Sequence, residues 1–170
     1  VGKYPVKAVE IMVKIAVQAE EAAFAHRHHL RRKSVAGSFA QAVAFAAHAA
    51  SSEVNPRAVV IFTQTGETAR ILSKLRPSTP IFAFTPLEKT WRRLSLVWGV
   101  EPYAIEFGTH TDEMICRGEA ALLDNGIASL GDTIVIVSGT KVGMRGATNM
   151  MKIDWIGSEE CKLYLKDKGE

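Results

Sequence analysis

The sequence predicts an α/β fold of three layers, in which a five-stranded, mostly parallel sheet lies between helices. From residue 57 onwards, short apolar runs alternate with segments in which apolar residues recur every three or four positions. The first run, residues 58–62, is continuously apolar, as in a strand buried on both faces. Strands that alternate with helices imply right-handed crossovers and parallel neighbours, which gives this fold class.

Two helices are predicted before the first strand. Pro5 can occupy the first turn of one of them, and apolar residues at helical spacing follow it. Ser38 and Gln41 have the form of a capping box, and the helix that they start continues to Asn55–Pro56. The cationic stretch 26–33 separates the two helices, and we interpret it as a connector.

The later elements are predicted from helix-start residues, from proline and glycine positions and from the spacing of apolar residues. A helix over 68–76 ends at Pro77, and a strand over 81–84 leads into Thr85-Pro86-Leu87-Glu88, which has the form of a helix start. The helix from there to Gly99 is the clearest in the chain, because Leu87, Trp91, Leu94 and Trp98 share one face. A strand over 102–106, a helix over 112–125 and strands over 133–137 and 149–156 complete the pattern. The last strand should be antiparallel, because the glycine-rich connection 139–148 is too short for a crossover helix.

Composition narrows the class of protein. The chain has 170 residues, with 21 Lys and Arg against 18 Asp and Glu, which is too balanced for an obligate nucleic-acid binder. No apolar run is long enough to span a membrane. Its two cysteines have no metal-ligand spacing around them, so we expect neither a disulfide framework nor a zinc site, and we expect a reducing cytoplasm. The first residue is not Met, which indicates a processed chain, a trimmed tag or a piece of a longer protein.

The segment from Thr63 to Thr68 is the strongest candidate site. It follows a buried strand and opens a helix, so hydroxyls, backbone N–H groups and the helix dipole can converge on a phosphate. The candidate ligands in it are Thr63, Gln64, Thr65, Gly66 and Thr68. The alternative is purely structural: Thr65 caps the helix and Thr63 ends the strand.

A second loop, residues 138–146, also follows a buried strand and carries the cations Lys141 and Arg145. These cations could close over an anion held by the first loop. Alternatively, the loop is a hairpin connection with solvated cations.

The remaining candidate functional residues are better explained by structural roles. The cluster of histidines and cations at 26–33 is more typical of a solvated connector, and His48 and His110 lack catalytic partners at a recognisable spacing. Asp112 and Glu113 suit a helix amino terminus, and Cys116 suits packing.

Taken in order, these segments resemble the carboxyl-terminal domain of bacterial pyruvate kinases. The matching stretches are Gly2-Lys3-Tyr4-Pro5-Val6, AVVIFTQTGETAR at 58–70, Arg76-Pro77, PIFAFTP at 80–86, Trp98-Gly99-Val100, GDTIVIVSG at 131–139 and Gly146-Ala147-Thr148-Asn149. In that family the first stretch belongs to the last helix of the catalytic barrel and the rest forms a regulatory domain. The resemblance therefore implies a barrel-helix segment at 1–25, a connector at 26–37, the α/β domain at 38–158 and a polar tail at 159–170.

The resemblance also implies what the chain lacks. The residues that bind phosphoenolpyruvate, nucleotide, magnesium and potassium belong to the barrel, so this chain should hold no cofactor and should be inactive alone. Its expected role is to bind a phosphorylated effector in a cytoplasmic homotetramer of the glycolytic enzyme. Met114 falls about where some relatives have a cation for a bisphosphate, which favours a sugar monophosphate or AMP. We expect the domain to contact other subunits of the same protein, but neither nucleic acid nor a membrane. The alternative function is a purely structural assembly module that binds no ligand.

Overall fold

We describe the fold from a computed structural model that covers residues 2–25, 37–142, 144, 146–159, 161 and 162, with residues 21 and 23–25 described by their backbone alone. The chain divides into two compact units, Val1–Val35 and Ala36–Glu170. The first unit contains the helix α1, Pro5–Ala25. Side chains such as Val9, Met12 and Val13 are exposed along it. The connector predicted at 26–37 lies almost entirely outside the described residues.

The second unit is an α/β domain with one five-stranded sheet. Its elements run in the order α2 (Phe39–Val54), β1 (Ala58–Phe62), α3 (Glu67–Lys74), β2 (Ile81–Thr85), α4 (Glu88–Leu94), β3 (Val100–Ala104), α5 (Thr111–Asp124), β4 (Thr133–Gly139) and β5 (Thr148–Trp155). The strand order is β3-β2-β1-β4-β5. Four strands are parallel, and β5 pairs with β4 in the antiparallel direction. The predicted fold class is confirmed.

Two apolar clusters hold the layers together. Because side chains alternate along a strand, Val60 and Phe62 of β1 face one side of the sheet, and Val59 and Ile61 face the other. The first side packs against α5, and the second packs against α2, α3 and α4. Every residue of β1 and β2 is buried, which explains why residues 58–62 and 81–84 are continuously apolar in the sequence.

Two predicted elements and one expectation about the cysteines differ from the structure. The helix expected to reach Gly99 ends at Leu94. At its amino terminus no side chain caps the helix, and the Thr85 hydroxyl instead accepts a hydrogen bond from Leu87 N, before the first helical residue. The third strand begins at Val100 rather than 102 and includes Pro102, which is tolerated because β3 lies at the sheet edge. The expectation that the cysteines form no disulfide is wrong: Cys116 of α5 is bonded to Cys161.

Gly118 sets the distance between α5 and β1. A Cβ atom at this position would lie 2.5 Å from Cζ of Phe62, closer than carbon atoms approach without a shift. Phe62 is buried and stacks on Phe84, so its ring has little room to move. The glycine is therefore needed for this close helix–sheet packing.

We expect Gly118→Ala to destabilise the domain, although alanine favours a helix over glycine by about 1 kcal/mol. The overlap with the Phe62 ring should cost roughly 1 to 3 kcal/mol, which outweighs that gain. Urea unfolding monitored by circular dichroism measures the difference. Gly118→Ala combined with Phe62→Leu should lose less stability than the two single changes added together, and a stabilised Gly118→Ala variant would contradict the packing argument.

Candidate functional site

The candidate site is a pocket at the carboxyl end of β1, between two loops. One loop connects β1 to α3, and the other connects β4 to β5. The pocket is lined from the first loop by Thr63, Gln64, Thr65, Glu67 and Thr68, from the second by Gly139, Lys141, Val142, Met144, Gly146, Ala147 and Thr148, and from elsewhere by Ala40, Phe62, Phe107 and Met114. Its position is the one at which open α/β sheets bind ligands.

The first loop is a tight turn that caps α3. The backbone N–H of Gly66 donates to the Thr63 hydroxyl at 2.9 Å, and the N–H of Glu67 donates to the Thr65 hydroxyl at 3.4 Å. Gly66 has a φ of 76° and lies against Leu94 and Thr90, so a larger residue would be strained and crowded there. Thr63 directly follows the end of β1, but the residue that caps α3 is Gly66 and not Thr65, and no side chain caps the helix. The two hydrogen bonds do not prevent either hydroxyl hydrogen from pointing at a ligand.

Unused donors remain at the start of α3. The first hydrogen bond inside this turn of helix runs from Arg70 N to Gly66 O. The backbone N–H groups of Thr68 and Ala69 have no acceptor within the described part of the chain. Such orphan donors and the positive end of the helix dipole favour an anion.

The starts of α3 and β5 meet through a pair of threonine hydroxyls. Oγ1 of Thr68 lies 2.8 Å from Oγ1 of Thr148, the first residue of β5. One hydroxyl donates to the other, which leaves the second hydrogen for another acceptor. Thr148 was not predicted as a site residue, although its position in Gly-Ala-Thr-Asn, directly before the last strand, was a usable signal.

The second loop is held in shape by Asn149. Its side-chain oxygen accepts from Thr140 N at 3.0 Å, and its amide nitrogen donates to the Thr140 hydroxyl at 3.1 Å. The loop ends also approach closely, because a Cβ on Gly139 would lie 2.6 Å from the carbonyl oxygen of Ala147. The predicted hairpin geometry and the predicted pocket thus occur in the same loop.

The predicted site residues divide into three groups. Thr63, Gln64, Thr65, Thr68 and Lys141 line one pocket. Gly66 shapes the turn, and its N–H is already donated to Thr63. Arg145 lies outside the described residues, so its predicted role stays a prediction.

The charges around the pocket are mixed. Lys141 is the cation among the described lining residues, and Glu67 contributes a carboxylate in the first turn of α3. Met114, also on the pocket wall, is uncharged and buried. A bound anion would therefore rely on hydroxyls, N–H groups and one lysine, with Glu67 opposing a high ligand charge.

Glu113 at the start of α5 is a structural carboxylate. The Thr109 N–H donates to it at 2.9 Å and the Arg117 guanidinium at 2.6 Å, and together they lower the pKa of Glu113. A lowered pKa means that its contribution to stability is present at neutral pH and is lost as the pH falls through the folded-state value. This agrees with its expected role at a helix amino terminus.

The other candidate residues and kinds of site add little to the description of a functional site. Within the described ranges, no group of three His, Cys, Asp or Glu residues could hold a metal ion. No helix there is long and apolar enough to cross a membrane. The cationic cluster at 26–33 is outside the described residues, His48 is half-buried on α2, and His110 precedes α5.

Comparison with known proteins gives a consistent result. The family model of the pyruvate kinase alpha/beta domain matches residues 41–154. The chain is 40% identical over 163 residues to a pyruvate kinase of Staphylococcus epidermidis, covering 95% of this chain and 28% of that protein. It is 40% identical over 160 residues to a pyruvate kinase of Staphylococcus aureus, covering 93% and 27% respectively.

A solved structure agrees with the sequence match. The crystal structure of Cryptosporidium parvum pyruvate kinase superposes with a TM-score of 0.63 at 30% identity, over 74% of this chain and 23% of that one. The chain thus spans little more than a quarter of the length of the curated relatives that it matches. The two loops of the pocket fall within the range that the family model matches. Because this range covers most of the chain, the chain belongs to the pyruvate kinase family and consists largely of its alpha/beta domain.

Proposed function

We propose that this domain binds a phosphorylated small molecule and thereby regulates a cytoplasmic pyruvate kinase, which converts phosphoenolpyruvate and ADP to pyruvate and ATP in glycolysis. The observation that supports binding most directly is the pocket at the start of α3. There the Thr68 and Thr148 hydroxyls, the unused backbone N–H group of Thr68 and Lys141 lie around one space. These groups suit the oxygens of a phosphate.

The charge balance favours a monophosphate. Glu67 lies on the pocket wall, and Met114 offers no cation for a second phosphate. A sugar monophosphate or AMP would keep its single dianionic group at the helix start, while Phe107 and Val142 provide an apolar wall for the remainder.

A contribution to subunit assembly is the second part of the proposal. Trp155 is 66% exposed and Ile153 is 45% exposed on β5, which lies at the edge of the sheet. Exposed apolar residues beside an unpaired strand edge are typical of a protein–protein interface. A domain that serves assembly alone, without a ligand, is the alternative function.

A thermal-shift assay on the chain tests ligand binding. Ribose 5-phosphate, glucose 6-phosphate, AMP, fructose 1,6-bisphosphate and inorganic phosphate are the probes. A ligand at about 100 times its dissociation constant should stabilise the fold by roughly 2.7 kcal/mol. For a domain of this size, that raises the melting temperature by roughly 5 to 10 °C.

The double variant Thr68→Val with Thr148→Val is the sharpest test of the site. These two hydroxyls bond to each other, so replacing both leaves no buried group without a partner and should change the unliganded stability little. The ligand-induced shift should disappear. Thr79→Val, a buried threonine before β2 and away from the pocket, should keep the shift. If no probe moves the melting temperature of the unmodified chain, the assembly alternative is favoured.

A further inference from the structure

The disulfide between Cys116 and Cys161 joins two parts of the domain that are far apart in sequence. Cys116 lies in α5, and Cys161 lies in a short turn after β5 formed by the described residues Ser158, Glu159, Cys161 and Lys162, which we call the C-terminal turn. Both cysteines are nearly inaccessible, at 3% and 2% exposure, and belong to the apolar cluster beneath α5. The bond therefore fastens the C-terminal turn onto α5.

The fold does not depend on this bond as a small disulfide-rich domain would. Apolar clusters fill both faces of the sheet. The chain just after β5 is also anchored independently, since Ile156 N donates to Asp132 O, Gly131 N donates to Ile156 O and Gly157 N donates to the Glu119 carboxylate. Opening the bond should leave α5 and β5 in place.

The C-terminal turn itself is differently anchored. The hydrogen bonds found there among described residues are local: Cys161 N and Lys162 N both donate to Ser158 O, and Lys162 Nζ pairs with Glu159. Among its described residues, the turn is attached to α5 through the Cys161 side chain, by packing and by the covalent bond. Loss of the bond releases the turn selectively.

We propose that Cys116 and Cys161 form a reversible redox clamp that fastens the C-terminal turn to α5 when oxidised and frees it when reduced. The proposal uses the cytoplasmic location of the proposed function, because disulfides in reducing compartments are mostly transient or redox-sensing. It is independent of any ligand at the threonine pocket.

The exchange partner is a low-molecular-weight thiol and its disulfide, of the glutathione class. During a transient local opening of the oxidised domain that exposes Sγ of Cys161, the thiolate attacks this atom and forms a mixed disulfide, while the bond to Cys116 breaks and the Cys116 thiolate takes a proton from water. A second thiolate attacks the mixed disulfide and releases Cys161 as a thiol. Two glutathione molecules are thereby oxidised to one disulfide and the protein disulfide is reduced to two thiols, and oxidised glutathione reverses the sequence.

Equilibration of the whole chain in glutathione buffers, without denaturant, tests the clamp. Alkylation followed by mass spectrometry should show that the pair interconverts fully in both directions, with unchanged far-ultraviolet circular dichroism. In the reduced form, hydrogen exchange at the amides of Cys161 and Lys162 should be at least about tenfold faster, while β5 amides keep their protection.

The variant Cys116→Ala with Cys161→Ala is the matched control. It should show the fast exchange at residues 161 and 162 in either buffer, with no response to glutathione. A pair that is reduced only in denaturant would overturn the proposal, and so would a reduced form with unchanged exchange at these two amides. Neither result depends on whether a phosphate ligand binds, so the proposed effector function would stand or fall separately.

Discussion

Phe84→Ala should lower the free energy of unfolding of the α/β domain by about 3 to 5 kcal/mol, the usual cost of emptying a fully buried aromatic site. Phe84 lies on β2, beside the central strand β1, and is 0% exposed. Its ring lies 5.5 Å from that of Phe62 and 5.8 Å from that of Tyr103. Removal of the ring deprives both neighbours of a partner and leaves a cavity beneath α5, which Gly118 is too small to fill.

Phe39→Ala is the matched control for this substitution. Phe39 begins α2 and is 81% exposed, so the same change of side chain there should cost less than about 0.5 kcal/mol. Thermal unfolding should show a melting temperature roughly 10 to 20 °C lower for Phe84→Ala and nearly unchanged for Phe39→Ala. Equal effects of the two variants would contradict the core assignment.

Reduction of the Cys116–Cys161 disulfide should also have a large effect on global stability. The bond closes a loop across a sequence separation of 45 residues. The loss of unfolded-state entropy for such a loop corresponds to about 4 kcal/mol in the chain-entropy model. Differential scanning calorimetry with and without a phosphine reductant should show a melting temperature roughly 10 to 16 °C lower in the reduced form.

The reduced domain should nevertheless remain folded at 25 °C, because domains of this size have total stabilities of about 5 to 15 kcal/mol. The double cysteine-to-alanine variant should have a low melting temperature that the reductant does not change further. A reductant effect of similar size in that variant would show that the shift has a cause other than the disulfide.

The sequence predicts the sheet well, because its strands are defined by burial. Residues 58–62 and 134–137 can be apolar throughout only where both faces are covered, and both segments lie in strands. The helix predicted as far as Gly99 shows the limit of periodicity. Trp98 continues the apolar spacing of this helix in the sequence, but the helix ends at Leu94. The Trp98 ring packs instead against the Arg76 guanidinium, whose Cζ lies 4.1 Å from the ring centroid.

The parts of the candidate site that were missed depend on contacts between distant residues. Thr68 and Thr148 are 80 residues apart, and local spacing gives no information on their pairing. The same is true of Cys116 and Cys161, whose separation matches no metal or disulfide motif. By contrast, the turn from Thr63 to Thr68 was predictable, since glycine and hydroxyl residues between a buried strand and a helix are typical of a turn.

The strand order has a consequence for how the domain folds. β1 pairs with β2 through residues such as Val59 and Ile81, which are close in the chain, whereas its pairing with β4 joins Ala58 to Ile134. Closing the larger loop costs more entropy before any contact compensates for it, so the β1–β2–β3 half is expected to assemble before the β4–β5 hairpin docks. In this order of assembly, the pocket between the β1 and β4 loops is completed only when the β4–β5 hairpin docks.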